Sequence, residues 1–530
     1  MQRRRNRDVK RHRPAAVSLG QRVETSSTGS DAIPVVEDAA PLAEDPNSSL
    51  RGTAVRGITW TVLKSASSRL MSSAAFIVLA RMLEPADFGT VALASVFIVL
   101  ISVLVESGFG EALIQRDRVG PRDLNSAFWM NSAVGISLAI VLIGFAGVIS
   151  ELLGQPQLAP VLRVLSAVFV FSALASVPQA ILRRNLAFRA IALRGVAATL
   201  AGGVVGIAMA MAGAGVWSLV GQMVASAVVG TAILWAMCSW RPGWSLSTSS
   251  LRGLFGFSAK ILGERLALFA SRRSDDLLIG LVLGPVALGF YTVAYRILLI
   301  LTETIIWTLE GVAFPLLSRL QNDKARRTRA FYALTRLCAA VAVPAFLALA
   351  VLAPELTRVA FGPRWLDAIP VMQTLALVGI PHAAAYCNKA ALNAAGRPDL
   401  SLRIALLTCV INVIGFALVV SWGILAVAVS YAVCSYLLVP VSLWSTIRVL
   451  DLAVKPYLRL FVAPLVSGIA MASVVLGVKA LLAEGLSEPL RLLVLLSVAV
   501  AAYLAMLSLT AWGEVKGVLS QASRVLRPSS

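Results

Sequence analysis

Charge is scarce in this 530-residue chain: Asp, Glu, Lys and Arg together make up only 14% of it. A soluble globular domain keeps about a quarter of its residues charged, so water is not the solvent for most of this one. Cysteine is sparse as well. Cys238, Cys338, Cys387, Cys409 and Cys434 lie within or at the ends of apolar runs. With no CxxC spacing and no histidine partner, they suggest neither a disulfide framework nor a metal site and read as small packing residues. No GxxxxGK(S/T), GxSxG or HExxH segment occurs, which removes a P-loop, a nucleophile elbow and a zincin helix. The connections between apolar runs are too short to hold a catalytic domain. The chain is therefore expected to use no cofactor and no metal, and not to be an enzyme.

What is abundant is apolar. Hydrophobic residues make up 58% of the chain and the mean hydropathy is +0.82. Runs of about 20 such residues recur from Ile58 to Trp512, each long enough for a hydrocarbon core of ~30 Å. They are rich in Ala, Val, Leu and Gly without the alternation of outer-membrane strands, so they read as helices. The runs predict about fourteen spans, near 58–80, 88–110, 125–149, 159–182, 190–212, 215–238, 254–280, 285–313, 331–353, 366–392, 400–420, 423–447, 458–481 and 489–512. The fold class is an all-α polytopic membrane protein.

The net charge is +20. In a soluble protein that would suggest nucleic acid. Here the basic residues fall in alternate connections. One set carries Arg116, Arg118 and Arg122, then Arg183, Arg184 and Arg189, then Arg319, Lys324, Arg326, Arg327 and Arg329. The other set is nearly bare. The positive-inside rule then places both termini in the cytoplasm of a bacterial inner membrane, and no nucleic-acid partner is needed. Residues 1–50 form a polar extension that opens with a basic block from Arg3 to Arg13 and lacks the apolar content to fold alone. Either it touches anionic lipid heads or it is a solvated tail. Residues 516–530 form a second expected cytoplasmic tail.

The chain repeats itself. Leu83, Pro85 and Gly89 recur as Leu283, Pro285 and Gly289. Pro160-Val161 recurs as Pro370-Val371, and the helix start at Gly215 recurs at Gly423. Six spans separate the copies, an even number, so the two halves share an orientation. The expected architecture is two parallel pseudo-symmetric six-helix lobes, 51–250 and 251–450, around a central cavity. Two extra spans follow in 451–515.

Charge inside a span costs about 2.5–3.5 kcal/mol, so it usually faces a wet cavity or a partner. The first span carries Lys64 and Arg69 among serines. Its repeat counterpart, the seventh, carries Lys260, Glu264, Arg265, Arg272, Arg273, Asp275 and Asp276, and the eighth adds Arg296, Glu303 and Glu310. Arg265, Arg272 and Asp276 lie seven and four residues apart and share a helix face. Two repeat-equivalent polar helices argue for a cavity between the lobes, and arginines in it suit an anionic substrate. Internal pairing, such as Lys260 with Glu264 and Arg272 with Asp276, accounts for the same residues. Gly202 and Gly206 read as close helix packing. His382 reads as hydrogen-bonded structure or a proton site.

Several segments together resemble a known family. Phe76-Ile77-Val78-Leu79-Ala80-Arg81-Met82-Leu83-Glu84-Pro85-Ala86-Asp87-Phe88-Gly89 is similar to the opening of bacterial polysaccharide exporters. So are Glu106-Ser107-Gly108-Phe109-Gly110, Gly213-Ala214-Gly215-Val216-Trp217, Asp275-Asp276-Leu277-Leu278-Ile279-Gly280 and Phe361-Gly362-Pro363-Arg364-Trp365. The pattern resembles the colanic-acid-type flippases of the multidrug/oligosaccharidyl-lipid/polysaccharide exporter superfamily. The resemblance implies a substrate of undecaprenyl pyrophosphate carrying an oligosaccharide, flipped by alternating access for exopolysaccharide, lipopolysaccharide or capsule assembly. It implies membrane lipids and a polysaccharide polymerase and export machinery as partners. It also implies a cationic cavity, which maps onto Arg69, Arg265, Arg272 and Arg273. Lys64 and Arg296 complete the candidate substrate-binding set, with Glu264, Asp275, Asp276 and Glu303 as candidates for ion coupling. The rivals are a lipid II-type or multidrug exporter of the same superfamily, a membrane-embedded polysaccharide polymerase, and a purely structural assembly partner. A cation exporter would need an acidic cavity, and a polymerase a large external loop, which the sequence lacks.

Overall fold

The computed structural model describes residues 69–106, 120–245, 269, 273–321, 323–482 and 486–526. The expected extension, 1–50, lies outside them, as do residues 58–68 of the expected span 58–80 and most of the expected span 254–280. Lys64, Lys260, Glu264, Arg265 and Arg272 lie outside with those segments.

All regular structure among the described residues is helical. The first half contains α1 (69–82), α2 (Pro85–Glu106), α3 (Pro121–Leu152), α4 (Leu158–Leu165), α5 (Ala167–Arg184), α6 (Phe188–Met211) and α7 (Val216–Met237). The second half contains α8 (273–282), α9 (Gly284–Arg319), α10 (Lys324–Ala360), α11 (Ile369–Ala394), α12 (Pro398–Val419) and α13 (Ile424–Leu450). Two more follow, α14 (Val454–Leu481) and α15 (Glu488–Leu526). Among the described residues twelve spans are long and apolar enough to cross a membrane. They match the expected spans other than the first and seventh. The fourth is interrupted at Ser166, between α4 and α5. The last helix runs on to Leu526, through most of the segment expected as a tail.

Local chemistry sets the helix ends. Prolines open α2, α3, α9 and α12, where their fixed φ suits a first turn and the missing N–H is an orphan anyway. The Asp123 carboxylate accepts from the Gly120 N–H at 3.1 Å, and Asp87 accepts from Glu84 N–H at 3.1 Å. Gly215 and Gly423, the repeat pair, both precede a helix at positive φ, 54° and 104°. A side chain there would meet the αL penalty that glycine escapes.

Outward faces are apolar, as lipid requires: Ile140, Val204 and Leu418 are all well exposed. Gly202 and Gly206 do pack closely. A Cβ on Gly206 would come within 3.2 Å of the Ser218 carbonyl on α7. The two halves meet at the starts of α2 and α9, where Gly89 lies against Pro285 and Gly289 against Pro85. Beside them Trp365 is fully buried among Phe88, Phe290 and Phe361, and its indole N–H donates to the Ala80 carbonyl at 2.7 Å. The Arg81 guanidinium donates to the carbonyls of Val359 and Ala360 at the end of α10. The two extra helices dock on α10. Lys479 of α14 pairs at 2.8 Å with the fully buried Glu355, and the Tyr503 hydroxyl donates to the Ala340 carbonyl at 2.6 Å.

Candidate functional site

Polar groups in the apolar interior converge where α1, α8 and α9 meet. On α9, Thr292, Tyr295, Arg296, Leu299, Thr302 and Glu303 recur at helical spacing and line one cavity of about 720 Å³. Arg273, Asp275 and Asp276 of α8 line it too, as do Gln222 and Met223 of α7. A smaller cavity of about 230 Å³ lies among Arg69, Ser72, Ser73, Thr199, Arg296 and Glu303. A third, about 400 Å³, touches Ser72, Phe76, Gln222 and Arg296. Arg296 lines all three.

The charges are held in place. Arg69 donates from Nη1 to the Glu303 carbonyl at 3.1 Å, and its Nε lies 3.8 Å from the Glu303 carboxylate. Arg273 pairs with Asp276 at 2.7 Å, three residues along the helix. Asp275 accepts from the Tyr291 hydroxyl at 2.8 Å and from the Asp276 N–H at 2.9 Å. Arg296 donates to Ser72 Oγ at 3.1 Å across the two halves, and its guanidinium lies 5.8 Å from the Phe76 ring centroid. It has no carboxylate partner among the described residues, and its buried Nε has no hydrogen-bond partner there either.

The structure thus brings together Arg69, Arg273, Asp275, Asp276, Arg296 and Glu303 of the sequence-derived candidates. Lys64, Glu264, Arg265 and Arg272 lie outside the described residues. The expected pairs Lys260 with Glu264 and Arg272 with Asp276 involve residues outside the described ones; Arg273, which is described, pairs with Asp276. Among the described lining residues three arginines stand beside three carboxylates. The expectation of a cationic cavity therefore leans on Lys64, Arg265 and Arg272. Sequence reasoning missed the neutral part of the wall: Tyr295, Thr302, Tyr386, Asn412, Phe416 and Tyr431. The available signal was a polar or aromatic residue repeated one turn apart within an apolar span, as in His382 with Tyr386 and Asn412 with Phe416.

Residues 78–370, more than half of the chain, match the family model described as polysaccharide biosynthesis protein. The chain belongs to that family. Among curated members of similar sequence, the succinoglycan biosynthesis transport protein ExoT of Rhizobium meliloti is 29% identical over 61% of this chain and 66% of its own length. The teichuronic acid biosynthesis protein TuaB of Bacillus subtilis is 27% identical over 88% of this chain and 98% of its own. The fold itself has a counterpart among solved structures. The lipid II flippase MurJ in an inward closed conformation superposes with a TM-score of 0.72 at 14% identity, over 86% of this chain and 100% of that one. This polysaccharide biosynthesis protein is thus a multi-pass membrane protein with a transporter fold.

Proposed function

We propose that the chain flips undecaprenyl-pyrophosphate-linked oligosaccharide repeat units across the bacterial cytoplasmic membrane, for assembly of a surface polysaccharide. The observation that carries this reading is Arg296: a half-buried arginine that lines three cavities and whose buried Nε has no hydrogen-bond partner among the described residues. A guanidinium fork matches the oxygens of a pyrophosphate. Family membership and relatives that serve polysaccharide assembly support the same cargo.

The physical task is to move a sugar pyrophosphate head through hydrocarbon. Unaided, its polar groups lose water without replacement. In the cavity Arg296, Arg69 and Arg273 take the diphosphate, with Lys64, Arg265 and Arg272 assigned to the same task from their place in the sequence. The polyprenyl tail stays in lipid. The units 51–250 and 251–450 rock about the contact between α2 and α9, with 451–515 riding on the second and both termini in the cytoplasm. An inside-negative potential favours outward movement of negative charge by ~2.3 kcal/mol per charge per 100 mV. Glu264, Asp275, Asp276 and Glu303 are the groups assigned to ion coupling. A polymerase and export machinery consume the product outside.

The test is translocation of the lipid-linked oligosaccharide by the purified full-length chain in proteoliposomes, with and without an imposed potential. Protein-dependent transfer, accelerated when the cargo leaves a negative interior, is expected. Transfer no faster than in protein-free vesicles would overturn the proposal.

A further inference from the structure

The large cavity has an uncharged wall. Its Arg, Asp and Glu residues come from α8 and α9, whereas α11, α12 and α13 contribute none of these and no lysine. What they contribute is rings and neutral polar groups. Helix α12 buries only Asn412 and Phe416, one turn apart, and both line the cavity. Ile404 and Thr408, further back along the same helix, line the cavity as well, while Leu402, Val410, Ile414 and Leu418 face outward. Phe416 meets Tyr431 of α13 edge-on at 5.9 Å, and Tyr431 meets Tyr295 of α9 at 6.3 Å. The Tyr431 hydroxyl lies 3.4 Å from His382 Nε2, and the His382 ring stands edge-on to Tyr386 at 6.2 Å.

Besides Arg296 Nε, two uncharged polar atoms on this cavity are buried and make no hydrogen bond among the described residues. They are Asn412 Oδ1, on a residue 4% exposed, and Thr302 Oγ1, on a residue 3% exposed. Buried side-chain polar atoms are mostly hydrogen-bonded in native interiors, so two uncharged orphans lining one cavity are placed to meet a bound group that donates and accepts there. Asn412 lies on the wall that carries no Asp, Glu, Lys or Arg, so a group bound there needs hydroxyls rather than charge; Thr302, on α9 beside Glu303, lines the same cavity. A pyranose ring has these properties: hydroxyls around its rim for Asn412 and Thr302, and C–H faces that lie against aromatic rings. The cavity, about 720 Å³, is within the range of small-molecule sites.

We infer that this wall is a carbohydrate subsite, which binds sugar rings of the cargo while the arginine-bearing side takes the pyrophosphate. The inference rests on the reading that the cargo is a lipid-linked oligosaccharide. It adds that the chain senses the sugar itself, through Tyr386, Tyr431, Phe416, Asn412 and Thr302.

Two lipids separate the subsite from the phosphate site: undecaprenyl pyrophosphate without sugar, and the same lipid carrying a neutral hexose tetrasaccharide. Their affinities are measured on the full chain in lipid nanodiscs, for wild type and for Asn412→Leu, Thr302→Val, Tyr386→Leu and Arg296→Gln, each with its melting temperature. The wild type is expected to bind the glycosylated lipid more tightly. The first three variants are expected to lose about tenfold for the glycosylated lipid with little change for the bare one. Arg296→Gln is expected to weaken both. Thr302→Val is near-isosteric and removes an orphan, so it keeps the test sound if a larger change unfolds the protein. Equal loss for both lipids, or a wild type that does not distinguish them, would overturn the subsite and leave transport standing. A wild type that binds neither lipid would overturn the transport reading, and the subsite with it.

Discussion

Gly89 and Gly289 each rest against the backbone of the proline that opens the other's helix, Gly89 on the Pro285 carbonyl and Gly289 on the Pro85 carbonyl. The repeat legible in the sequence is therefore also a contact: the two copies of Leu-x-Pro-x-x-x-Gly meet each other. A Cβ at either glycine would strike a carbonyl within a helix, and neither backbone can step aside. Gly89→Ala and Gly289→Ala should each push the halves apart at this end. A cysteine placed at Ala92, buried in the parent, should then become accessible to a membrane-impermeant maleimide. Unchanged labelling in both variants would show that the contact does not hold the end shut.

Trp365 sits beside that contact with its indole N–H on the Ala80 carbonyl. Trp365→Phe keeps much of the ring packing and deletes the donor. Leaving a buried carbonyl unpaired costs about 1–3 kcal/mol, so thermal unfolding in detergent should shift downward by that amount. The charged bonds from Arg81 to the end of α10 act on the same closure, and combining Trp365→Phe with Arg81→Gln should lower stability further.

Arg296→Gln should abolish translocation while leaving melting unchanged or slightly raised. The guanidinium makes one hydrogen bond, to Ser72, which a glutamine can replace, and its buried Nε has no partner among the described residues, so little stabilising interaction is removed. Arg69 differs, because it pairs with Glu303. Arg69→Gln should lower both activity and stability, and a change that spared both would count against the shared site.

How much of this was visible in the sequence depends on whether the signal is local. Span positions follow from apolar runs, and the Pro85/Pro285 register from literal repetition. Candidates such as Arg296 and Glu303 stand out because charge in an apolar helix has few resting places. Asn412 gave no such sign. One amide in α12 does not say which way it faces, and only the neighbouring helices turn it inward. The break at Ser166 was equally hidden, since the serine side chain caps Arg163 through a turn rather than through a glycine or proline. Arg273 meets Asp276 at i,i+3 spacing, whereas Arg272, the partner expected at i,i+4, lies outside the described residues.

The Lys479–Glu355 pair anchors the terminal hairpin. Glu355 is completely buried, so removing its partner strands a carboxylate. Lys479→Met should destabilise by about 3–5 kcal/mol. The double variant Glu355→Gln with Lys479→Met should recover most of that loss, since neutral groups of similar size replace the pair. A double variant no better than Lys479→Met alone would argue that the lysine acts through packing.

Leu186 adopts φ 53°, whereas its counterpart at the repeat offset, Gly396, adopts φ 75°. Leu186 is also largely exposed. Leu186→Gly should therefore raise stability by about 1 kcal/mol through relief of left-handed strain, read as a higher melting temperature. A fall would mean that the leucine side chain holds the turn by contact with lipid.

Helix α12 fully buries only two side chains, Asn412 and Phe416, and packs closely on α13 at Gly415. Most of its remaining surface meets acyl chains, so the match between its apolar length and the local bilayer thickness bears on its depth. A thinner or thicker membrane would shift Asn412 and Phe416 relative to Tyr431 and Tyr295. Lipid composition then becomes a tuning knob for cargo choice, set by the host's growth temperature and fatty-acid supply rather than by any residue of the protein.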